Sequence, residues 1–388
     1  MDNSVHVVKC TDYDQVEEKI GQLLDAMGGM ERFVAPGESI ALKVNLLTLA
    51  RPERAITTHP AVVAAVGRMA RDQGGRPFII DSPTGGLPYD EDTMSDIYRT
   101  SKMSDAAQEA GIELNYDTTH RAVSFPEGEL TKRFDILTPL VEADGVFNLC
   151  KLKTHAYMAM TGAIKNNFGA IPGRAKPGYH AKLRDPGRFA RMLLDLAACV
   201  APRLSIVDAV VGMEGNGPNS GSPRPIGLLL ASQNPLALDV VGGEIMGLPL
   251  ERNPVLAEAE KRGLRPTRIE DVDLVGADIV DLRIPGFRLP ATLAPGAGLE
   301  DISWRHRLLF PLFRHGLTLR PRVVRSKCIA CGACRDICPM QVITIRSKDR
   351  KYARIDDRGC IRCYCCHETC PQDAIELHQS LLYRVINA

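Results

Sequence analysis

Apolar residues in this chain follow two alternating rhythms. Short, nearly continuous β-branched runs read as strands: VHVVK (5–9), SIALKVN (39–45), RPFIID (76–81), GVFNLC (145–150), LSIVDAVV (204–211) and IGLLLAS (226–232). Between them, 14–27, 60–73, RFARMLLDLAACV (188–200) and PLALDVVGGEIMG (235–247) carry helical spacing. This alternation predicts an α/β domain on a large, mostly parallel sheet with helices on both faces. Uninterrupted apolar runs suit strands covered on both sides. The rhythm dissolves near residue 285 in GFRLPATLAPGAG, so three units are expected: an α/β domain over 1–285, a linker over 286–324 and a small α+β domain over 325–388. Within the linker, WRHRLLFPLFRHGLTLRPRVVR (304–325) could touch a membrane surface or a partner. Pro311 and Pro321 break any single amphipathic helix there and favour a connector packed across the first domain.

The chain has 388 residues, 45% of them hydrophobic, which is ample for more than one core. Lys plus Arg (48) nearly balances Asp plus Glu (47), and a net charge of +1 gives no field that would suit a dedicated nucleic-acid binder. No uninterrupted apolar run is long enough for a transmembrane segment, and MDNSVHVVKC lacks the pattern of a secretory leader. A cytoplasmic location is the expectation. Charge is unevenly spread, because residues 320–388 hold thirteen basic and seven acidic side chains, a local +6. Such a tail suits docking to an acidic partner or to the first domain, unless it is simply a solvated surface.

Nine of the twelve cysteines fall between Cys328 and Cys370. Without an export signal, such crowding reads as metal ligation, while Cys10, Cys150 and Cys199 read as buried thiols. The spacing is Cys328-x2-Cys331-x2-Cys334-x3-Cys338-Pro339, then Cys360-x2-Cys363-x2-Cys366-x3-Cys370-Pro371. Each run matches bacterial 4Fe-4S spacing, in which two-residue gaps let three thiolates wrap one face of a cubane. Zinc would leave the repeated third and fourth cysteines unexplained. Residues 325–378 resemble the bacterial-type two-cluster ferredoxin domain, with VITI (342–345) and ARID (353–356) as its strands. In that domain the fourth ligand comes from the opposite run. The resemblance therefore implies two 4Fe-4S clusters, one on Cys328, Cys331, Cys334 and Cys370, the other on Cys360, Cys363, Cys366 and Cys338. Cys365 lies outside the pattern and is either a thiol beside a cluster or a competitor of Cys366.

In the first domain the richest chemistry follows the strand at 145–150. Lys151, Lys153, Thr154 and His155 come at once, then Thr161, Lys165, Asn166 and Asn167. Ligands in open α/β sheets bind at the carboxyl ends of strands. Lysines and amides gathered there suit a carboxylate or phosphate, with Lys153, His155 and Lys165 as candidate catalytic groups. The competing account is a solvated charged run with asparagine caps. Lys43, Asn45 and Asp81 end strands at the same expected edge. After the strand at 204–211, the stretch Asp208 to Gly221 contains Glu214, Gly215 and Gly217, a loop able to cradle a ligand or simply a surface loop. It is neither a Walker loop nor a Rossmann fingerprint, and no nucleophile elbow, HExxH or Cx3Cx2C run occurs.

KVNL (43–46), TTHP (57–60), DSP (81–83), residues 145–173, IVDAVVGMEGNGP (206–218) and NPLALD (234–239) together resemble the family called domain of unknown function 362, over roughly 5–285. The resemblance implies architecture and association with iron-sulfur modules, and names no reaction. The expected function is single-electron transfer through the clusters to or from a small-molecule ligand or redox partner protein of the α/β domain. A non-catalytic electron carrier or assembly accessory, and a ligand-binding redox sensor, are the alternatives.

Overall fold

A computed structural model describes residues 2–84, 86–278, 282–293, 319–346 and 351–378. The strands of the first domain are β1 (Ser4–Lys9), β2 (Ser39–Lys43), β3 (Arg76–Ile80), β4 (Glu113–Leu114), β5 (His120–Ser124), β6 (Arg133–Leu137), β7 (Gly145–His155), β8 (Ala159–Thr161), β9 (Leu204–Glu214), β10 (Ser222–Ser232) and β11 (Asp273–Val275). The main sheet has the order β11-β1-β10-β9-β7-β2-β3-β4, with β8 paired to β7, while β5 and β6 form a separate hairpin. The run β9, β7, β2, β3, β4 is parallel, and β10 is antiparallel to both of its neighbours. The sheet is thus mostly parallel and the class is α/β.

Side-chain alternation divides the core in two. Ile40, Leu42, Phe147, Leu149, Leu204 and Ile206 face helices Val16–Ala26 and Pro60–Asp72. Ala41, Val146, Cys150, Leu152, Val207 and Leu230 face helices Pro186–Val200 and Pro235–Met246. Cap-plus-proline pairs start these helices: Asp185 accepts from the Arg188 amide before Pro186, and Asn234 accepts from Leu236 and Ala237 across Pro235. The NP of NPLALD is thus a helix start. Cys10 and Cys150 are buried, and Cys199 is partly so.

Two strands run past their expected ends. β7 continues through Lys151 and Lys153 to His155 with every residue buried, although only 145–150 was read as strand. Lys43 pairs in register with Asn148, so β7 projects from Leu149 onward, about 20 Å beyond β2 at ~3.3 Å per residue. β9 likewise runs past its expected end at 211 to Glu214, with Asp208 in mid-strand. The lysines survive burial because each finds oxygen. Lys151 Nζ lies 2.8 Å from Asp208 Oδ2 and 2.9 Å from the Tyr13 hydroxyl, and Tyr13 stacks on His59 at 3.4 Å.

The small domain has strands β12 (Arg320–Val323), β13 (Ile343–Arg346), β14 (Tyr352–Ile355) and β15 (Ile375–His378), with β12 paired to β15 and β13 to β14. β12 corrects the expected boundary, because 320–323 belong to this domain and not to the linker. At the linker's other end, Arg288 bonds Glu214, so 286–293 continue the first domain. Residues 294–318, including Trp304, lie outside the described residues.

Asp208→Ala leaves the Lys151 ammonium buried without its counter-ion and is predicted to cost ~3–5 kcal/mol. Lys151→Met combined with Asp208→Leu should recover most of the loss. Urea unfolding followed by circular dichroism measures both; equal destabilisation of the single and double variants would contradict the ion-pair account.

Candidate functional site

The parallel strands β2, β3 and β7 bring Lys43, Asp81 and Lys153 to one edge of the sheet. Lys43 Nζ sits 2.9 Å from Asp81 Oδ1, with both side chains buried. Asp81 is fixed in turn by the Leu46 amide at 2.7 Å and the Ser82 amide at 2.9 Å. Backbone crosses this pair so closely at Gly169 that a Cβ there would lie 2.0 Å from Asp81 Oδ1. Lys153 Nζ donates to the Ile56 carbonyl at 2.5 Å. Asn45 Nδ2 donates to Asn166 Oδ1 at 2.9 Å, and Asn166 Nδ2 donates to Asn148 Oδ1 at 2.8 Å. Helix Ala163–Asn166, which carries Lys165 and Asn166, is pinned by Asp239 Oδ1, which accepts from the Ala163 amide at 2.5 Å.

Lys153, Thr161, Lys165, Asn166, Lys176 and His180 line a cavity of about 60 Å³, room for a few waters or one small anion. Among the described residues Lys165 forms no ion pair, and its Nζ lies 5.8 Å from the centre of the Phe168 ring. Asn45 Oδ1, Thr161 Oγ1 and His180 Nδ1 are buried without a hydrogen-bond partner there. Unmatched polar atoms of this kind are costly unless a ligand or water meets them. Lys176 donates to the Ser82 and Pro83 carbonyls at 2.7 and 2.9 Å, and desolvation lowers its pKa to about 7. Burial likewise pushes Lys153 and Lys165 down, Lys153 further still because Lys165 is beside it.

The roof of the cavity comes from the other domain: Ile337, Cys365 and Glu368 line it. His155 Nδ1 accepts from the Tyr157 and Met158 amides at 3.1 and 3.3 Å, which leaves its proton on Nε2, 3.4 Å from Glu368 Oε1. Burial holds this imidazole well below its usual pKa. Burial also raises the Glu368 carboxyl, against the pull of Lys165. The docking is extensive. Asp373 takes Arg54 at 3.0 Å and the Ser220 hydroxyl at 2.8 Å, Asn219 donates to the Cys370 carbonyl at 3.1 Å, and His367 Nε2 meets the Asn216 carbonyl at 3.1 Å.

The cysteines divide between two cavities of the small domain. One is lined by Cys328, Cys331, Cys334 and Cys370, the other by Cys338, Cys360, Cys363 and Cys366. Four sulfurs line the first cavity and five the second; in each, the four that follow the cluster spacing, one of them from the opposite run, are the donor set a 4Fe-4S cluster needs. Cys365 lines the second of these and also the lysine cavity.

Of the residues singled out in the sequence, Asn45, Asp81, Lys153, Lys165 and Asn166 line this one cavity, Lys43 lies beneath it, and His155 meets its roof at Glu368. Asp208 does not, being tied to Lys151, Tyr13 and the His59 amide in a separate buried cluster. Gly215 and Gly217 also miss the cavity. Their loop is bonded to Arg288 and Thr154 and serves the contact between domains. Lys176, His180 and Glu368 were missed because only the folded chain brings them near β7; the sole signal for Lys176 was a lysine before a helix-starting proline. The solvated-run account of Lys151 and Lys153 is overturned, since both are 1% exposed.

Comparison with known proteins agrees with this division. Residues 40–244 match the family described as domain of unknown function (DUF362), and residues 327–374 match the 4Fe-4S dicluster domain. A thylakoid-associated protein of Synechocystis sp. is 36% identical over 304 residues, covering 76% of this chain and 90% of its own length. The solved lactate racemase apoprotein from Thermoanaerobacterium thermosaccharolyticum aligns over 64% of this chain and 58% of its own, at 11% identity and a TM-score of 0.42. No helix among the described residues is long and apolar enough to cross a membrane. The chain therefore belongs to the DUF362 family, here joined to a C-terminal 4Fe-4S dicluster domain.

Proposed function

We propose that this protein is an iron-sulfur oxidoreductase, or a component of one, that exchanges single electrons with a small anion held in the lysine cavity. The observation that carries this reading is Cys365, which lines both that cavity and the cavity of Cys338, Cys360, Cys363 and Cys366. Two 4Fe-4S clusters are assigned to the two sets of four cysteines; bound there, such clusters supply one-electron chemistry.

The remaining chemistry belongs to the chain. Lys165, which forms no ion pair among the described residues, and Lys176, whose Nζ donates to the Ser82 and Pro83 carbonyls, attract and hold a carboxylate or phosphate oxygen. Thr161 and His180 present unpaired polar atoms that orient it. Lys43 is neutralised by Asp81 and acts as a strut beneath the site. His155 stays neutral and keeps its proton at Nε2, facing Glu368, so it acts on the cavity by positioning that carboxyl. Ile337 and Phe168 exclude bulk water, which strengthens every charge interaction within.

Calorimetry with inorganic phosphate tests the anion site: Lys165→Met should weaken binding by tenfold or more, the loss of one charge-assisted contact. Retained affinity in an iron-replete variant would contradict the site. The charge on Lys176 sets a pH dependence. Its ammonium form prevails below about 7 and its neutral amine above, so affinity should fall as pH rises through that value. Lys176→Arg keeps its charge and should flatten this fall. A third prediction concerns ligation. Cys338→Ala should perturb the electron paramagnetic resonance signal of the cluster assigned to Cys360, Cys363 and Cys366, sparing that of the Cys328 set. The reverse pattern would contradict the crossing of ligands between the two runs.

A further inference from the structure

The two ends of the small domain differ in what they meet. The cavity of Cys338, Cys360, Cys363 and Cys366 faces inward, toward the lysines, through Cys365. The cavity of Cys328, Cys331, Cys334 and Cys370 faces outward: Cys331 is exposed, and Ile329 between Cys328 and Cys331 is 60% exposed, the highest value among the exposed large apolar residues described. An apolar tip beside a ligand cysteine is unfavourable in water and suits contact with another surface.

Against this outer end runs a groove lined by Arg322, Arg325, Arg346 and Arg354, together with Tyr352. It shares Val323 and Ala353 with the cavity of the Cys328 set and Pro321 and Ile355 with that of the Cys338 set, so it borders both, and the exposed Cys331 and Ile329 mark the end of it open to a partner. All four arginines are exposed, and none forms a salt bridge among the described residues. Arg325 lies over the Tyr352 ring, its guanidinium carbon 4.5 Å from the ring centre, which holds it in place beside the groove. Nearby acids are already engaged: Asp357 pairs with Arg320 and Arg362, and Glu376 with Lys327. Among the described residues, what remains on this face is four arginines without salt-bridge partners around an apolar tip.

We infer that this face is a docking surface for an acidic one-electron carrier protein. Charge complementarity selects the partner's sign and steers its approach. The position beside Cys331 selects its class, because an electron crosses efficiently only at close range, and four arginines on one short hairpin and its neighbour make a patch of protein size rather than a track for nucleic acid. The exchange is a single electron, lost by the carrier and gained by this protein or the reverse, with no bond made or broken. The arrangement gives the small domain an outer port for the carrier and an inner port for the cavity ligand.

The test uses the full, anaerobically purified chain and an acidic plant-type 2Fe-2S ferredoxin as probe. Calorimetry with the oxidised probe at low salt should detect binding that weakens at least tenfold in Arg346→Glu/Arg354→Glu and loses most of its salt dependence. Stopped-flow reduction by the reduced probe should slow in parallel, while reduction by methyl viologen radical and the iron content stay unchanged. Arg354→Gln alone, a milder change, should show a smaller loss in the same direction if the double variant fails to fold. Unchanged affinity and rate in iron-replete variants, or no binding by the unaltered chain, would overturn the inference. So would loss of binding to phosphatidylglycerol vesicles with carrier affinity retained, which would assign the patch to lipid. Phosphate binding in the lysine cavity is unaffected by these variants, so failure here is separable from failure of the cavity reading.

Discussion

Burying lysine inside a parallel sheet is the constraint on which this structure turns. An ammonium removed from water must find oxygen or lose its proton. Lys43 and Lys151 find carboxylates, Asp81 and Asp208, and those pairs lock β2 to β3 and β7 to β9. Lys153 finds only the Ile56 carbonyl, and Lys165 finds no counter-ion among the described residues. The difference separates scaffold from site. Paired lysines are finished structure, whereas half-satisfied lysines leave positive potential directed into a small space.

That space exists because β7 outruns β2 and because a second domain closes it. The projecting end of β7 supplies Lys153 and His155; the short helix Cys365–Glu368 supplies the lid. Asn219 and Ser220 of the β9–β10 loop, and Arg54 after β2, hold the two together by polar contacts with Cys370 and Asp373 at the last cysteine run. The glycine-rich loop thus serves assembly. Its lack of side chains permits close approach, as at Gly217, where a Cβ would lie 2.1 Å from the Thr154 carbonyl oxygen. The proposed function rests on proximity: the lysine cavity shares a wall, Cys365, with the cavity of Cys338, Cys360, Cys363 and Cys366.

Much of this was legible in the sequence, for physical reasons. Continuous β-branched runs announce buried parallel strands, and cysteine spacing is dictated by cluster geometry, so both survive reading without coordinates. Lys43, Asp81 and Lys153 were legible because strand ends in a parallel sheet share an edge, and Lys165 because it follows β7 closely in sequence. Asp208 was legible as part of the strand LSIVDAVV, but not its tie to Lys151, which lies three positions along neighbouring β7 from Asn148 and is visible only once register is known. Lys176, His180 and Glu368 reach the cavity through tertiary packing, and no local pattern encodes that. The start of the small domain was set too late because β12, RPRV, contains a proline and two arginines and reads as linker, yet edge strands tolerate both.

The proposed function places a ligand of the lysine cavity beside the inner set of cysteines. Phosphorus-31 electron-nuclear double resonance on the reduced full chain, saturated with inorganic phosphate, measures that proximity directly. The account predicts a phosphorus coupling to one of the two paramagnetic clusters, the one removed by Cys360→Ala and retained in Cys328→Ala. Saturating phosphate with no coupling to either cluster, or coupling only to the outer one, would contradict it.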